Sequence, residues 1–432
     1  MPADRSVHLA VASRGGKLNG KLSHRHPNLQ LCDSSETQQV RVLVNSLSLG
    51  SLSGQHVLFG HLRQLAKWTA GEHEFVVLHQ TQHGEVAREA LPFDNVEFLA
   101  APKAADHWAT RSAWESFSLP ALMKKRGADL YFTPSGTILP RSPVPQVSLA
   151  QNPWCLVPQI HRGRKERLKA SLQRSAYRSA VRGADLMVYN SEHIRGLYLN
   201  NARNGDEGDS IIAFQGINDE THALAAEARL TTNRKPLSIL SVSAMAHWKG
   251  AETLVSAVSK LRNRNIDATL DLVGPWPDSG YERLVRDRIA SLDLADVVNI
   301  AGKVSVESLH HHYATAQVFC LMSQCESFGI PAVEAQAFGT PVVGSNTCAM
   351  EEIGGAGGVF GPPGDADLTA DLLEPLLTDQ NHWQDLSENA VANSQNYIWE
   401  ECSRPLMQMF GEAPGDRLIS TGTDSQPAES AR

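Results

Sequence analysis

The chain of 432 residues has no surplus of positive charge, no long apolar run and no CxxC pair. Its formal net charge of −8 argues against a basic nucleic-acid-binding surface, while leaving room for a local basic site that takes an anionic ligand. No apolar run approaches the roughly 18 residues of a membrane-spanning helix. The opening "MPADRSVHLAVASRGGKLNGKLSHRHPN" lacks the continuous apolar core of a secretory signal. Six cysteines (Cys32, Cys155, Cys320, Cys325, Cys348 and Cys402) lie scattered, which reads as free thiols in a reducing compartment. A cytoplasmic protein is expected.

What remains is an ordinary globular composition, 42% hydrophobic and 20% charged, in a chain long enough for about two to three domains. Residues 1–38 and the tail 413–432 are polar and aperiodic, and are expected to stay outside any core. Between them, short β-branched runs alternate with helical spacing. The strand candidates are "QVRVLVNSL", "EFVVLHQ", "ADLYFTPSG", "PQVSLAQN" and "LMVYNS", then "PLSILSVSA", "ATLDLVG", "VVNIAG", "VFCLMS" and "TPVVGS". Such alternation indicates parallel sheets with crossover helices. A polar, glycine-bearing stretch, "NNARNGDEGDS", divides the two series. The expectation is two Rossmann-like, doubly wound α/β domains facing a cleft, at 39–207 and 208–392. A C-terminal helix, 393–412, would cross back to the first.

The most informative stretch is "CESFGIPAVEAQAFGTPVV" (Cys325–Val343), which keeps two carboxylates in apolar surroundings and holds no Lys, Arg or His. It follows the strand "VFCLMS", and ligands of open parallel sheets bind at the carboxyl ends of strands. Glu326, Ser327 and Phe328 fall on that loop. Gly329 permits an unusual φ, Pro331 suits a first helical turn, and Glu334 lies about one turn in. Free N–H groups at that helix start could hold an anion such as a diphosphate. Spacing alone leaves a second reading open, in which Glu334 complements the helix dipole and Glu326 is a solvated loop residue.

The wider pattern bears on the choice. "CESFGIPAVEAQAFGTPVVGS" closely resembles the E-x7-E segment of the retaining glycosyltransferases of family 4, also called group 1, which have the GT-B fold. "SVSAMAHWKGAETLVSAV" looks like the same family's lysine-glycine helix start, and "CAMEEIGGAGGVFGPPGDADLTADLL" like the segment after the motif. The resemblance covers residues 236–400 well. The first half matches in outline, through "LGSLSG", "AQNPW" and "ADLMVYNSEHIR". It implies that Glu326 contacts the hydroxyls of a donor sugar and Glu334 the ribose hydroxyls of its nucleotide. Main-chain groups around Ser327, Phe328, Gly329 and Ile330 would meet sugar and diphosphate, Lys249 would neutralise the diphosphate, and Lys303 and Val304 would face the nucleobase. Glu326 and Lys249 are thus the catalytic candidates. The family often places an arginine about five residues before the lysine; here Ser243 and Ala244 stand near that point, so half of the usual cationic clamp is missing. On the acceptor side, Ser53 and Gly54 resemble a glycine-bearing loop and Asn152 a residue near the donor sugar.

The resemblance implies a nucleotide-sugar (UDP- or GDP-sugar) as substrate, no essential metal and no cofactor. It also implies a glycan, lipid-linked or small-molecule acceptor and no nucleic acid as partner. The basic run "HRGRKERLK" reads either as a solvated helix face or as a guide for an anionic acceptor at a membrane surface. An inactive GT-B protein and a sugar-nucleotide epimerase on the same fold are the alternatives. Three further features carry less. His310, His311 and His312 are consecutive and point about 100° apart on a helix. Asp365 in "GDAD" suits a helix cap. Glu351 occupies a position where the family often has a Pro-Glu facing the cleft, and also reads as a surface acid.

Overall fold

The computed structural model describes residues 39–49, 52–203 and 208–411; the expected leader, the tail and Cys32 lie outside the described residues. Seven parallel strands build the first sheet: β1 (Arg41–Asn45), β2 (Glu74–His79), β3 (Val96–Ala100), β4 (Leu130–Thr133), β5 (Gln146–Ala150), β6 (Leu186–Tyr189) and β7 (Ser210–Ile212). Their order is β3-β2-β1-β4-β5-β6-β7. Six parallel strands build the second: β8 (Ser238–Val242), β9 (Thr269–Val273), β10 (Val298–Gly302), β11 (Val318–Leu321), β12 (Val342–Ser345) and β13 (Gly358–Gly361). These run β10-β9-β8-β11-β12-β13. Central strands such as β1, β4, β8 and β11 are buried almost throughout, as their unbroken apolar runs require of a sheet covered on both faces.

All ten strand candidates are strands here. The three strands without a clear sequence signal, β3, β7 and β13, are edge strands. β7 has only three residues, and β13 begins and ends with glycine. β7 still pairs with β6, so the first sheet's last strand lies beyond the expected division at residue 207. The helix expected after "LGSLSG" starts earlier than its apolar spacing suggested, at Leu52. Gly54 is therefore buried within a helix rather than carried on a loop, which corrects the reading of "LGSLSG" as a loop through Ser53 and Gly54.

The two halves are crossed twice by the chain. The outgoing crossing, Ala213–Asn218, lies beside the return crossing, where Ile217 pairs with Ile398 and its N–H donates to the Tyr397 carbonyl (2.8 Å). Instead of one long returning helix, residues 393–411 form the end of the helix Gln380–Ser394, a short helix Trp399–Ser403 and a tight turn Arg404–Phe410. Leu406, Met407, Met409 and Phe410 join the apolar core of the first sheet with Val42, Val44 and Leu62. A Cβ on Gly60 would stand 2.2 Å from the Trp399 ring, so only glycine lets the helix Leu52–Trp68 approach the return crossing so closely.

Candidate functional site

In each sheet the strand order reverses between two neighbours, β1 and β4 in the first and β8 and β11 in the second. Such switch points open the crevice where ligands sit in this class of fold. After β8 the chain makes one tight turn, His247–Lys249, then Gly250 at φ +79°, then the helix Ala251–Asn263. After β11 it passes through Met322–Phe328 and Gly329 at φ +100° into the helix Ile330–Ala337. The two loops are stitched together: Gln324 N–H donates to the Trp248 carbonyl (2.8 Å), and the Ser323 hydroxyl donates to the same oxygen (3.3 Å). A Cβ on Gly250 would lie 2.6 Å from the Met322 carbonyl oxygen.

That stitching brings Lys249 and Glu326 into contact. The Lys249 ammonium donates to Glu326 Oε1, with the side chains only 15% and 13% exposed. Two opposite charges this far from water are held by each other, and removing one strands its partner. Ser327 and Phe328 lie directly after Glu326. Phe328 is buried and packs edge-on against Tyr397 (5.4 Å between ring centroids) and at 6.1 Å from Phe214. Both aromatics belong to the domain crossings, so the loop rests on them. Gly329 caps the helix that begins at Ile330; a Cβ there would meet Met350 Sδ at 2.5 Å.

Glu334 sits one turn into that helix. Its Oε2 accepts a hydrogen bond from the Tyr313 hydroxyl (2.8 Å). Burial pushes its carboxyl up to about 7, against the lowering effect of the Tyr313 hydrogen bond. Tyr313 lies on the helix Val306–Thr315 beside the histidine run, and no spacing in the sequence singled it out. The three histidines diverge: His310 lies against Phe338 (5.4 Å), and His312 Nδ1 is 3.7 Å from Asp271 Oδ2. Among the described residues no group of three His, Cys, Asp or Glu side chains could hold a metal ion. Asp365 caps the helix Ala366–Thr378, accepting from the N–H groups of Asp367 (2.9 Å) and Leu368 (3.1 Å).

Other candidates are more dispersed. Ser243 follows β8, and its hydroxyl donates to Met245 Sδ (3.2 Å). Lys303 is exposed and Val304 half-buried after the edge strand β10, two strands from β8, and no hydrogen bond or ion pair joins Lys303 to the Lys249–Glu326 pair. Asn152 is exposed after β5, with its side-chain oxygen accepting from Trp154 N–H (3.0 Å) as a local turn cap. Ser53 lies in the first turn of the helix Leu52–Trp68, its side chain outside what is described.

Sequence reasoning missed the residues that join the halves. His247 Nε2 lies 2.9 Å from the Ile160 carbonyl oxygen. Val157 and Ile160 pack with Cys325, Trp154 and Trp248. Glu351 is exposed, and its neighbour Glu352 is the acid that reaches the first half.

This pair of switch-point sheets is the GT-B fold. It is shared with HepE of Anabaena, a protein solved in complex with UDP-glucose, at a TM-score of 0.64 and 17% identity over 86% of this chain and 99% of that one. Residues 225–392, in the second half, match the family model described as glycosyl transferases group 1. A D-inositol 3-phosphate glycosyltransferase of Corynebacterium diphtheriae is 28% identical over 269 residues, 60% of this chain and 63% of that protein. An MMP alpha-(1->4)-mannosyltransferase of Mycolicibacterium hassiacum is 32% identical over 180 residues, 40% of this chain and 43% of that protein. The chain thus spans about three fifths of the length of the first relative and under half of the second.

Proposed function

We propose that the protein is a retaining glycosyltransferase that moves a sugar from a nucleotide-sugar to a hydroxyl acceptor. The observation that carries this reading is the Lys249–Glu326 pair at the second switch point, with Gly329 and the N-terminus of the helix Ile330–Ala337 beside it. Lys249 supplies the positive charge that a departing nucleoside diphosphate needs. Glu326 accepts from the sugar hydroxyls. One oxygen of Glu334 is committed to Tyr313, and the other receives ribose hydroxyls. In the reaction the C1–O(phosphate) bond breaks and a C1–O(acceptor) bond forms on the same face. The acceptor's proton passes to the leaving phosphate oxygen, so no side-chain base and no metal is required. Lys249 must turn partly from Glu326 to the diphosphate as the donor enters.

The relatives' names, an inositol phosphate and a mannosyl transferase, support a polyol or glycan acceptor, and the UDP-glucose bound to HepE supports a nucleotide-sugar donor. Peripheral contact with a membrane surface belongs to the same reading. The helix Gly163–Gly183 carries Arg164, Lys165, Arg167 and Lys169 around exposed Leu168 and Leu172, a pattern that suits an anionic lipid surface. Among the described residues no helix is long and apolar enough to cross a membrane.

The test is release of nucleoside diphosphate from a panel of UDP- and GDP-sugars, with the product anomer read by NMR. Wild type should turn over one donor and Glu326→Ala should lose nearly all of that rate. Equal rates in both would sink the enzyme reading. Ser243 and Ala244, standing where an arginine is usual, favour one rival, a nucleotide-binding protein without turnover. It would bind nucleoside diphosphate in a thermal-shift screen and transfer nothing.

A further inference from the structure

Beside the loop that carries Glu326, the two halves are joined by three hydrogen bonds. The Ser191 hydroxyl of the first half donates to the Ser327 carbonyl of the second (2.9 Å). Glu352 of the second half accepts from two main-chain N–H groups of the first, Glu192 through Oε1 (2.8 Å) and His193 through Oε2 (2.9 Å). All three contacts converge on one place, the N-terminus of the helix Glu192–Asn201, which Ser191 caps by accepting from Ile194 N–H (3.2 Å). The first N–H groups of a helix have no partner within it. Here the helix's own cap satisfies one, and a carboxylate from the other half satisfies two. A carboxylate at a helix N-terminus gains from the charge-assisted bonds and from the helix dipole together.

We propose that Ser191 and Glu352 form a latch that holds the two halves closed and, through the Ser327 carbonyl, sets the donor loop. The peptide between Ser327 and Phe328 is planar and trans, so its N–H points opposite to its carbonyl. Fixing the carbonyl on Ser191 therefore fixes the direction of the Phe328 N–H, one of the amides assigned to the sugar and diphosphate. Phe328 itself is wedged against Phe214 and Tyr397 of the two crossings. The loop is thus held on one side by the crossings and on the other by the latch, and a closed arrangement is the one in which both holds are made. Ser191 and Glu352 touch no reacting atom on this reading; they are positioning residues. Their effect on catalysis rests on the glycosyl-transfer reading above, whereas the closure they produce does not.

The test combines closure with kinetics. Spin labels at Glu89→Cys and Asp287→Cys, both exposed positions in opposite halves, report the inter-domain distance in a Cys32→Ser background. In wild type the short distance should dominate, without ligand and with UDP or GDP. Glu352→Ala should shift the population to longer distances, and Glu352→Gln, whose single oxygen can still accept, should lie between them. Glu351→Ala, the exposed neighbour, should match wild type. Transfer kcat/KM should fall about 10- to 100-fold in Glu352→Ala, the size of about one charge-assisted hydrogen bond. Affinity for the nucleoside diphosphate should fall by less than kcat/KM does, because Lys249 and Glu334 keep their places within the second half and only the Phe328 N–H loses its fixed direction. Ser191→Ala tests the loop contact independently and should lower kcat more than it raises KM. An unchanged distance distribution in both Glu352→Ala and Ser191→Ala overturns the latch, as does a full kcat in both. If wild type binds no nucleoside diphosphate, the functional reading fails, and the ligand-free distances still judge the latch.

Discussion

At the residue scale the site is a balance of burial against charge. The Lys249–Glu326 pair is shielded from water on both sides. Replacing one partner should cost about 3 kcal/mol of stability through the stranded charge, so Lys249→Met and Glu326→Leu should each unfold at lower urea. Lys249→Met combined with Glu326→Leu should regain most of that loss while staying inactive. A double-mutant cycle on urea midpoints measures the coupling. Glu334 gives a second prediction. Its folded value of about 7 stands above the 4.5 of an unperturbed carboxyl. The stability of its protonated form is fully present below 4.5 and is lost as pH rises through 7. A ligand that hydrogen-bonds to the carboxylate reverses that preference. Nucleotide affinity should therefore weaken by about 5-fold between pH 7 and pH 6 relative to Glu334→Gln, as the ionised fraction falls. Calorimetric titration of both proteins across that range checks it; parallel pH profiles would remove Glu334 from the binding site. The two acids were legible in the sequence because loop and helix signals flank them. Tyr313 was not, since its pairing with Glu334 depends on how two helices pack across the sheet.

At the element scale the site is made by loops that leave adjacent central strands and by glycines that let them touch. Gly329 combines a left-handed φ of +100° with a Cβ position 2.5 Å from Met350 Sδ. Gly329→Ala should cost about 2 kcal/mol or more from backbone strain alone, and adding Met350→Ala should return only the steric part. Thermal melts of the single and double variants separate the two. The strands that form these loops, β8 and β11, were plain in the sequence as buried apolar runs. The strands that escaped notice are edge strands, where pairing on one side only leaves a short or glycine-bounded segment sufficient. Glu352 escaped for a different reason. Nothing in "MEEI" says which of two neighbouring acids faces a helix N-terminus that lies 160 positions away in sequence.

At the scale of the whole molecule the crossings carry an acid-sensitive contact. His61 is fully buried beside Trp399 (5.0 Å between ring centroids), with Nδ1 2.9 Å from the Ser403 hydroxyl. Burial lowers it to about 3, helped by the charge of a protonated His56, which packs on the same Trp399 (5.2 Å) and is itself lowered by burial. The folded protein needs both rings neutral, so stability is fully present above the unfolded value of 6.5 and is lost as pH falls below it. By pH 5 His61 alone should remove about 2 kcal/mol. Urea midpoints from pH 8 to 5 should fall for wild type and fall less for His61→Asn, whatever that substitution costs at pH 8. A pH profile as steep as wild type in the variant would shift the cause elsewhere. The same crossing has a consequence for biosynthesis. A chain made from its N-terminus has all seven strands of the first sheet by Ile212, yet the Leu406–Phe410 turn that completes that sheet's core emerges almost two hundred residues later. Until then Phe75, which meets Phe410 edge-on in the finished fold (6.3 Å between ring centroids), lacks part of its cover, and the nascent first half should depend on chaperones. A chain stopped at Gln395 should accumulate as aggregate, even though it retains every strand of both sheets and every residue assigned to the donor.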